Sequence, residues 1–275
     1  MHLKRLIIAV IALPLLYFYI TKLPAEYFLF LLITITAIAQ YEFYSMYNVK
    51  GLLRYSGIAL GILTISAAYL FTHYLIALDL SRNLLTDLFA VSFFIVACIR
   101  LFSKRSPASS LHDIAAVIVA VVYIPGLLGY QIYLRERGAE WIIFLYGCVW
   151  ASDSLAYYIG SGIGKRKLYE EVSPNKTIAG AAGSIAGGAI GAVILKTALI
   201  YSISLPFVKA VIIGIIIGAI SIIGDLVESM FKRDAGVKDS GNILPGHGGI
   251  LDKLDSLLFA GPVLYWAAIA FRLIE

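Results

Sequence analysis

Long apolar segments alternate with short polar connections along the whole chain. Nine apolar segments recur, at about 4–20, 24–47, 56–78, 87–103, 112–133, 141–160, 179–200, 206–225 and 254–272. An α-helix needs about 20 apolar residues to cross the hydrocarbon core of a bilayer. The pattern therefore predicts an all-α polytopic integral membrane protein with about nine transmembrane helices.

The composition supports a membrane protein and argues against two other classes. Hydrophobic residues make up 60% of the 275 residues and charged residues 14%, whereas soluble domains carry about 25% charged residues. The net charge of +5 would suit a nucleic-acid-binding protein, but the basic residues lie in short loops, where they determine topology. Cys98 and Cys148 fall inside apolar segments, so we expect buried small side chains and no disulfide or metal pair.

The distribution of lysine and arginine predicts the orientation. With the N-terminus in the cytoplasm, 15 of the 22 basic residues face the cytoplasm and 7 face the other side, as the positive-inside rule requires. The two longest polar connections, 161–178 and 226–253, then open on the cytoplasmic face. We expect a single membrane domain over 1–275, with N-terminal helices in about 1–135 and the helices and loops that carry the chemistry in about 141–275.

The first apolar segment follows Lys4 and Arg5 and looks like a signal peptide, but no small-x-small cleavage site follows it, so a retained span is predicted. The seventh segment carries small residues at a spacing of four, namely Gly180, Ser184 and Gly188, and Gly183, Gly187 and Gly191. Such spacing lets helix backbones approach closely. The contact could lie within one chain or between the chains of a homodimer.

Two features in the middle of the chain point to chemistry. Asp153 lies in an otherwise apolar segment, where an ionised side chain costs at least ~2.5–3.5 kcal/mol, and Tyr157 shares its helix face. The connection that follows combines glycines with Lys165, Lys167 and Lys176. Such a loop suits phosphate binding and equally suits attachment to anionic lipid.

The segment 225–255 concentrates carboxylates and cations. Asp225 and Glu228 are three residues apart, as are Asp252 and Asp255, and on helices each pair would share a face. Carboxylates of this kind hold Mg²⁺ together with substrate phosphates, although Asp252 could instead cap a helix. Between the pairs lie the cations and glycines that a triphosphate requires, namely Lys232, Arg233, Lys238, His247, Gly246, Gly248 and Gly249.

The stretch 229–255 resembles the signature of the phosphatidate cytidylyltransferases, also called CDP-diacylglycerol synthases. The matching residues are Ser229, Lys232-Arg233, Lys238-Asp239, Gly241, His247-Gly248-Gly249 and Asp252-Lys253-Leu254-Asp255. Upstream, Asp153-Ser154, Ala156-Tyr157, Gly164-Lys165 and 173–177 are also similar to this family. The family usually has Arg where this chain has Lys253, which keeps the charge but loses the bidentate fork.

The resemblance implies transfer of CMP from CTP to phosphatidic acid, with release of pyrophosphate, at the bacterial inner (plasma) membrane with the active site facing the cytoplasm. Asp225 and Asp252 would hold Mg²⁺, with Asp255, Glu228 and Asp239 as further ligands or close neighbours, and a second cation, K⁺ or another divalent ion, is hinted at. The phosphates of CTP or of the lipid would contact Lys165, Lys167, Lys176, Lys232, Arg233 and Lys238. His247, Gly248 and Gly249 would form a turn against phosphate, and Ser173 and Asn175 would bind a headgroup.

Three other functions are weighed against this one. A CDP-archaeol synthase or a CTP-dependent polyprenol kinase shares membrane embedding and use of CTP. A transporter would use Asp153 and the glycine-rich segment, but here the polar residues cluster at one side. A non-catalytic scaffold is disfavoured by the intact set of carboxylates.

Overall fold

The chain forms a bundle of helices with one small hairpin. The computed structural model describes residues 14–75, 84–199, 205–243 and 248–274. The helices are α1, described at 14–22, α2 (Ala25–Met46), α3 (Leu52–Leu70), α4 (Leu84–Leu101), α5 (Ser110–Val121), α6 (Leu127–Glu136), α7 (Ala139–Ile163), α8 (Ile178–Ala198), α9 (Phe207–Asp234) and α10 (Asp255–Ala270). The hairpin consists of β1 (Lys167–Tyr169) and β2 (Ser173–Thr177).

Six of the described helical segments are long and apolar enough to cross a membrane: Ala25–Met46, Leu52–His73, Ser110–Glu136, Ala139–Ile163, Ile178–Ala198 and Phe207–Asp234. The prediction of an all-α integral membrane protein is confirmed. Helix α10 is apolar but has 16 residues, and most of the first predicted span lies outside the described residues. The count of nine spans therefore stays a prediction.

One span contains a local change of helical winding. Helices α5 and α6 are joined by a π-helical turn, Val122–Gly126, which contains Pro125. Proline has no backbone N–H and cannot complete a regular helical ladder, and a π-turn accommodates such an interruption. As a result 27 residues, Ser110–Glu136, continue across as one span.

The small residues of α8 bring three helices together. A Cβ atom on Gly187 would lie 2.5 Å from the carbonyl oxygen of Ala151 on α7, and one on Gly218 of α9 would lie 2.5 Å from the carbonyl oxygen of Ser184. The hydroxyl of Ser184 also donates to the carbonyl of Gly218 at 2.9 Å. The prediction of close packing is confirmed, and the described contacts lie within one chain.

Two predicted connections differ from the structure. Helix α9 continues to Asp234, so the connection predicted at 226–253 begins nine residues later, and Asp225, Glu228 and Lys232 lie on a helix. The reason is that the sequence has no glycine or proline after Gly224 until Gly236, whose positive φ of 70° accompanies the end of the helix. In the connection at 161–178, β1 and β2 pair antiparallel, which the sequence pattern did not predict.

An aromatic contact joins the N-terminal helices to α9. The rings of Phe43 on α2 and Phe231 on α9 lie 5.5 Å apart, and Tyr123 lies 5.3 Å from Phe231. The hydroxyl of Tyr47 donates to the carbonyl of Phe231 at 3.2 Å. The polar end of α9 is therefore packed against α2. Both cysteines are free; Cys148 is buried as predicted, whereas Cys98 is only partly buried.

Candidate active site

Three carboxylates from two helices meet at the polar end of α9. Asp225 and Glu228 lie one turn apart on α9, and Asp255 begins α10; one oxygen of each lies within 4.8 Å of the others. Glu228 is fully buried, and its Oε1 atom accepts no hydrogen bond from the residues that the structure describes. We call Asp225, Glu228 and Asp255 the acidic cluster. Its carboxylates are the ligand type that hard divalent cations prefer.

A cavity of about 810 Å³ opens beside this cluster. Its walls come from α7, α8, α9, α10 and the hairpin. Of the predicted residues it brings together Asp153, Tyr157, Ser173, Asn175, Lys176, Asp225, Asp252 and Asp255. The lining also contains apolar and aromatic side chains, among them Val149, Trp150 and Leu257. The cavity therefore combines charged and apolar groups, which suits an amphiphilic substrate.

Two lysines supply positive charge to the cavity. Lys176, on β2, forms an ion pair with Asp225 at 2.6 Å. Lys253, in the turn before α10, also lines the cavity and is exposed. The sequence analysis treated Lys253 only as a departure from the family signature and did not place it among the site residues. Anionic substrate groups that enter the cavity would meet both ammonium groups.

Asp252 and Lys232 form ion pairs and hydrogen bonds with other groups of the protein. Lys232 Nζ forms ion pairs with Asp252 Oδ1 at 2.7 Å and with Glu228. Asp252 Oδ2 accepts hydrogen bonds from Gly249 N at 2.7 Å and from Ser240 Oγ at 3.0 Å. Burial disfavours the charged form of Asp252, but the hydrogen bonds from Lys232 and Gly249 outweigh it and lower the pKa of this carboxyl to about 2. Asp252 is therefore ionised throughout the physiological pH range.

The spacing of Asp252 and Asp255 predicted one shared helix face, but the structure places the two residues on two consecutive helical elements. A 3-10 turn, Leu251–Lys253, ends before Asp255 begins α10. Both residues line the cavity. Asp255 joins the acidic cluster, while Asp252 accepts hydrogen bonds from the loop that precedes it. Neither helix has a side-chain cap at these positions, so the alternative of Asp252 as a helix cap is wrong.

The hairpin is held against α9 by Arg233. Its guanidinium donates to the carbonyls of Val172 at 3.2 Å and Val237 at 3.0 Å. At the other end of β2, Thr177 caps α8, since its Oγ1 accepts from Gly180 N at 3.0 Å. These contacts place Ser173, Asn175 and Lys176 along the cavity wall. Arg233 therefore supports the hairpin that forms this wall, but its own side chain is not part of the cavity lining.

Several other predicted residues lie away from the cavity. The side chains of Lys165, Lys167, Lys238 and Asp239 are exposed and are not part of its lining. Gly248 has a φ of +84°, which favours glycine, and Gly249 donates its N–H to Asp252. His247 lies outside the described residues. The predicted contacts of these residues with phosphate therefore stay predictions.

The sequence analysis missed Glu42 on α2. This residue is 3% exposed, and its carboxylate accepts hydrogen bonds from the backbone N–H groups of Ile250 at 3.0 Å and Leu251 at 2.9 Å. A signal was present, because Glu42 lies in an apolar segment, as Asp153 does. An ionised side chain in an apolar segment is energetically costly, so the same argument identifies Glu42 and Asp153 as candidate functional residues.

Comparison with known proteins assigns the chain to a family. The model of the family described as "Cytidylyltransferase family" matches residues 3–271. A phosphatidate cytidylyltransferase of Bacillus subtilis is 40% identical over 165 residues, which cover 59% of this chain and 61% of that protein. One from Staphylococcus saprophyticus is 39% identical over 180 residues, 66% of this chain and 67% of that protein. The family match spans nearly the whole chain, and the chain belongs to the cytidylyltransferase family.

Proposed function

We propose that this protein transfers CMP from CTP to phosphatidic acid, giving CDP-diacylglycerol and pyrophosphate for phospholipid biosynthesis. The observation that carries the proposal is the cavity, whose lining combines carboxylates and lysines with aromatic and aliphatic side chains. A lipid phosphate and a nucleotide triphosphate need the charged groups, and the apolar part of the lipid suits the aromatic and aliphatic ones. Family membership and the relatives named phosphatidate cytidylyltransferase support the same reaction.

The reaction is a displacement at phosphorus. An oxygen of the lipid phosphate bonds to the α-phosphorus of CTP, and the bond from that phosphorus to the oxygen bridging the α- and β-phosphates breaks, so pyrophosphate leaves with its electron pair. The attacking oxygen is already anionic near neutral pH, so no strong general base is needed. The difficulty is to bring two polyanions together in line. Lys176 and Lys253 would reduce their repulsion, and Asn175 and Ser173 offer neutral polar groups along the same wall.

We include Mg²⁺ in the proposal, held by Asp225, Glu228 and Asp255. The fit rests on the donor set, which is three carboxylates within 4.8 Å of one another with a Glu228 oxygen that lacks a hydrogen-bond partner among the described residues. When bound, such an ion neutralises developing charge on phosphoryl oxygens. Asp252 was expected as a direct ligand; its contacts with Lys232, Ser240 and Gly249 favour a supporting role. A second cation remains a prediction from the resemblance.

We further propose that the chain has nine spans with the N-terminus in the cytoplasm, and that the cavity faces the cytoplasm of a bacterial inner membrane. The distribution of basic residues along the sequence supports this orientation. CTP is cytosolic and phosphatidic acid lies in the bilayer, so a cavity at this boundary would receive both. A homodimer is a separate prediction.

The test is a turnover assay on the purified full chain in detergent. CTP labelled at the α-phosphate and CTP labelled at the γ-phosphate are each incubated with phosphatidic acid and Mg²⁺, with a polyprenol and an archaeol-type acceptor in parallel. The proposal expects α-label in the lipid, with pyrophosphate release that requires phosphatidic acid. Transfer of γ-label to a lipid would identify a kinase instead. Transfer to the archaeol-type acceptor alone would overturn the assignment of phosphatidic acid.

A further inference from the structure

Glu42 ties the first half of the chain to the loop beside the site. Its carboxylate accepts from Ile250 N and Leu251 N, and the hydroxyl of Ser240 lies 3.3 Å from its Oε2 atom. A buried carboxylate needs such donors, because burial without them is costly. These partners are 198 to 209 residues away along the chain. The contact is therefore a tertiary feature that fixes the path of the loop.

The loop has glycines where this carboxylate enters. A Cβ atom on Gly241 would lie 2.5 Å from Glu42 Oε1, and a Cβ atom on Gly249 would lie 2.6 Å from Glu42 Oε2. Any other residue at either position would push the carboxylate away or move the loop. Both glycines belong to the signature stretch that the sequence analysis singled out. The close approach of Glu42 explains sterically why glycine occupies each of these two positions.

The same loop also holds Asp252. Ser240 N and Ser240 Oγ donate to Asp252 Oδ2 at 3.1 and 3.0 Å, and Gly249 N donates at 2.7 Å. Asp252 in turn pairs with Lys232, which pairs with Glu228 of the acidic cluster. Glu42, Ser240 and Asp252, which we call the loop anchor, thus lead from α2 to the proposed cation site. Ser240 Oγ has one hydrogen to share between the two carboxylates.

We infer that Glu42 is a positioning residue for the proposed CMP transfer. By holding residues 249–251 in place, Glu42 positions Asp252 to form its ion pair with Lys232, which in turn pairs with Glu228. Among the described residues, those that line the cavity all lie at 149 or later, so Glu42 would act through the loop and not on the substrate. The inference rests on the proposed function for its kinetic consequences, while its structural core, the grip on the loop, is independent of that function.

The test compares Glu42→Gln with Gln40→Met in the full chain in detergent. In Glu42→Gln one acceptor oxygen becomes an NH₂ group that faces the N–H groups of the loop. Gln40 is also fully buried on α2, but its amide donates to Tyr44 Oη and to the carbonyl of Gly57, away from the loop. Gln40→Met therefore removes a buried polar group from the same helix without touching the loop.

Two measurements are made on each variant. Hydrogen exchange of peptides covering 248–254 reports the grip on the loop without reference to activity. Turnover is measured per folded molecule against Mg²⁺ concentration. For Glu42→Gln we expect faster exchange in this segment, at least tenfold lower kcat and a roughly tenfold higher Mg²⁺ concentration for half-maximal rate, as for residues that support a metal site. Gln40→Met should change neither exchange in the segment nor the Mg²⁺ dependence.

The outcomes separate the inference from the proposed function. Unchanged exchange in Glu42→Gln would overturn the inference, and so would equal effects of the two variants on kcat and Mg²⁺ dependence. If the unmodified protein makes no CDP-diacylglycerol, the proposed function fails and the kinetic role assigned to Glu42 fails with it. Exchange then still decides whether Glu42 holds the loop.

Discussion

The acidic cluster and the loop anchor both contain buried or half-buried carboxylates, and they differ in how many donors the protein gives them. In the loop anchor, Glu42 accepts from two backbone N–H groups, and Asp252 accepts from Ser240, Gly249 and Lys232. In the acidic cluster, Asp225 accepts from Ser229 and pairs with Lys176, and Asp255 accepts from Ser256 N, whereas Glu228 Oε1 has no hydrogen-bond partner among the described residues.

The difference assigns separate tasks to residues of one chemical type. A carboxylate whose oxygens accept hydrogen bonds from the N–H and O–H groups of a loop holds that loop in place. A cluster of three carboxylates that includes an oxygen without a partner, such as Glu228 Oε1, has the negative charge to hold a cation. The comparison predicts that substitutions in the acidic cluster affect catalysis and leave the fold intact, whereas substitutions at the loop anchor affect the conformation of the loop.

The largest expected effect is loss of turnover in Asp225→Asn or Asp255→Asn. Each change keeps the size of the side chain and removes a charge from the proposed cation site. We expect a fall of at least about 10³-fold in kcat, since metal stabilisation of phosphoryl charge is worth several kcal/mol, with little change in thermal unfolding. Glu171→Gln, at an exposed position in the hairpin turn, is the matched control. Near-normal turnover in either cluster variant would remove that residue from the site.

The next effect is on stability and concerns the lysine that joins the two regions. Lys232→Met leaves Glu228 and Asp252 without their shared cation. Removing one partner from a buried ion pair typically costs about 3–5 kcal/mol, and we expect a loss of this size in the free energy of unfolding in detergent. Lys238→Met, which changes an exposed lysine of the following loop, should be within about 0.5 kcal/mol of the unmodified protein. Equal stability of the two variants would contradict the account.

A smaller effect is expected where helix packing sets the position of the cluster. A Cβ atom on Gly188 would lie 2.9 Å from Gly218 N on α9, so Gly188→Ala should push α8 and α9 apart. Overpacking of this kind costs about 1–3 kcal/mol, measurable as a lower unfolding temperature. Gly162→Ala is the control, because a Cβ atom there meets nothing within 4 Å. If both variants unfold alike, the close approach of α8 and α9 is not needed for stability.

The smallest expected effect distinguishes the roles of Asp252 and Lys253, which are adjacent in the chain. Asp252 and Lys253 both line the cavity, but only Asp252 belongs to the loop anchor, so Lys253→Met should raise a substrate KM about tenfold, the value of one charge-assisted hydrogen bond, and leave unfolding unchanged. Lys253→Arg keeps the charge and should stay close to the unmodified protein. A change in stability with no change in KM would place Lys253 in the loop anchor instead.

The apolar pattern predicted the helices well because hydropathy and length are read directly from the sequence. It misjudged the end of α9, since charged residues after Asp225 suggested a loop although no helix-breaking residue follows until Gly236. The hairpin was missed because its strands have three and five residues, too few for a period to appear.

For the site, local spacing predicted what lies on one helix and failed where tertiary contacts decide. Asp225 and Glu228 come together as their spacing on α9 predicted. Asp252 and Asp255 lie on two consecutive helical elements, because a 3-10 turn ends between them. Glu42 could be marked as costly from its apolar surroundings, but its partners near position 250 depend on how α2 packs against the loop, which no local pattern contains.

The most direct test of this division of labour is metal binding to the acidic cluster. Mn²⁺, a paramagnetic substitute for Mg²⁺, is titrated into the purified full chain in detergent, and free Mn²⁺ is followed by electron paramagnetic resonance. The account predicts saturable binding by the unmodified protein and by Glu171→Gln, and binding at least tenfold weaker in Asp255→Asn. Equal Mn²⁺ affinity in the unmodified protein and in Asp255→Asn would contradict it.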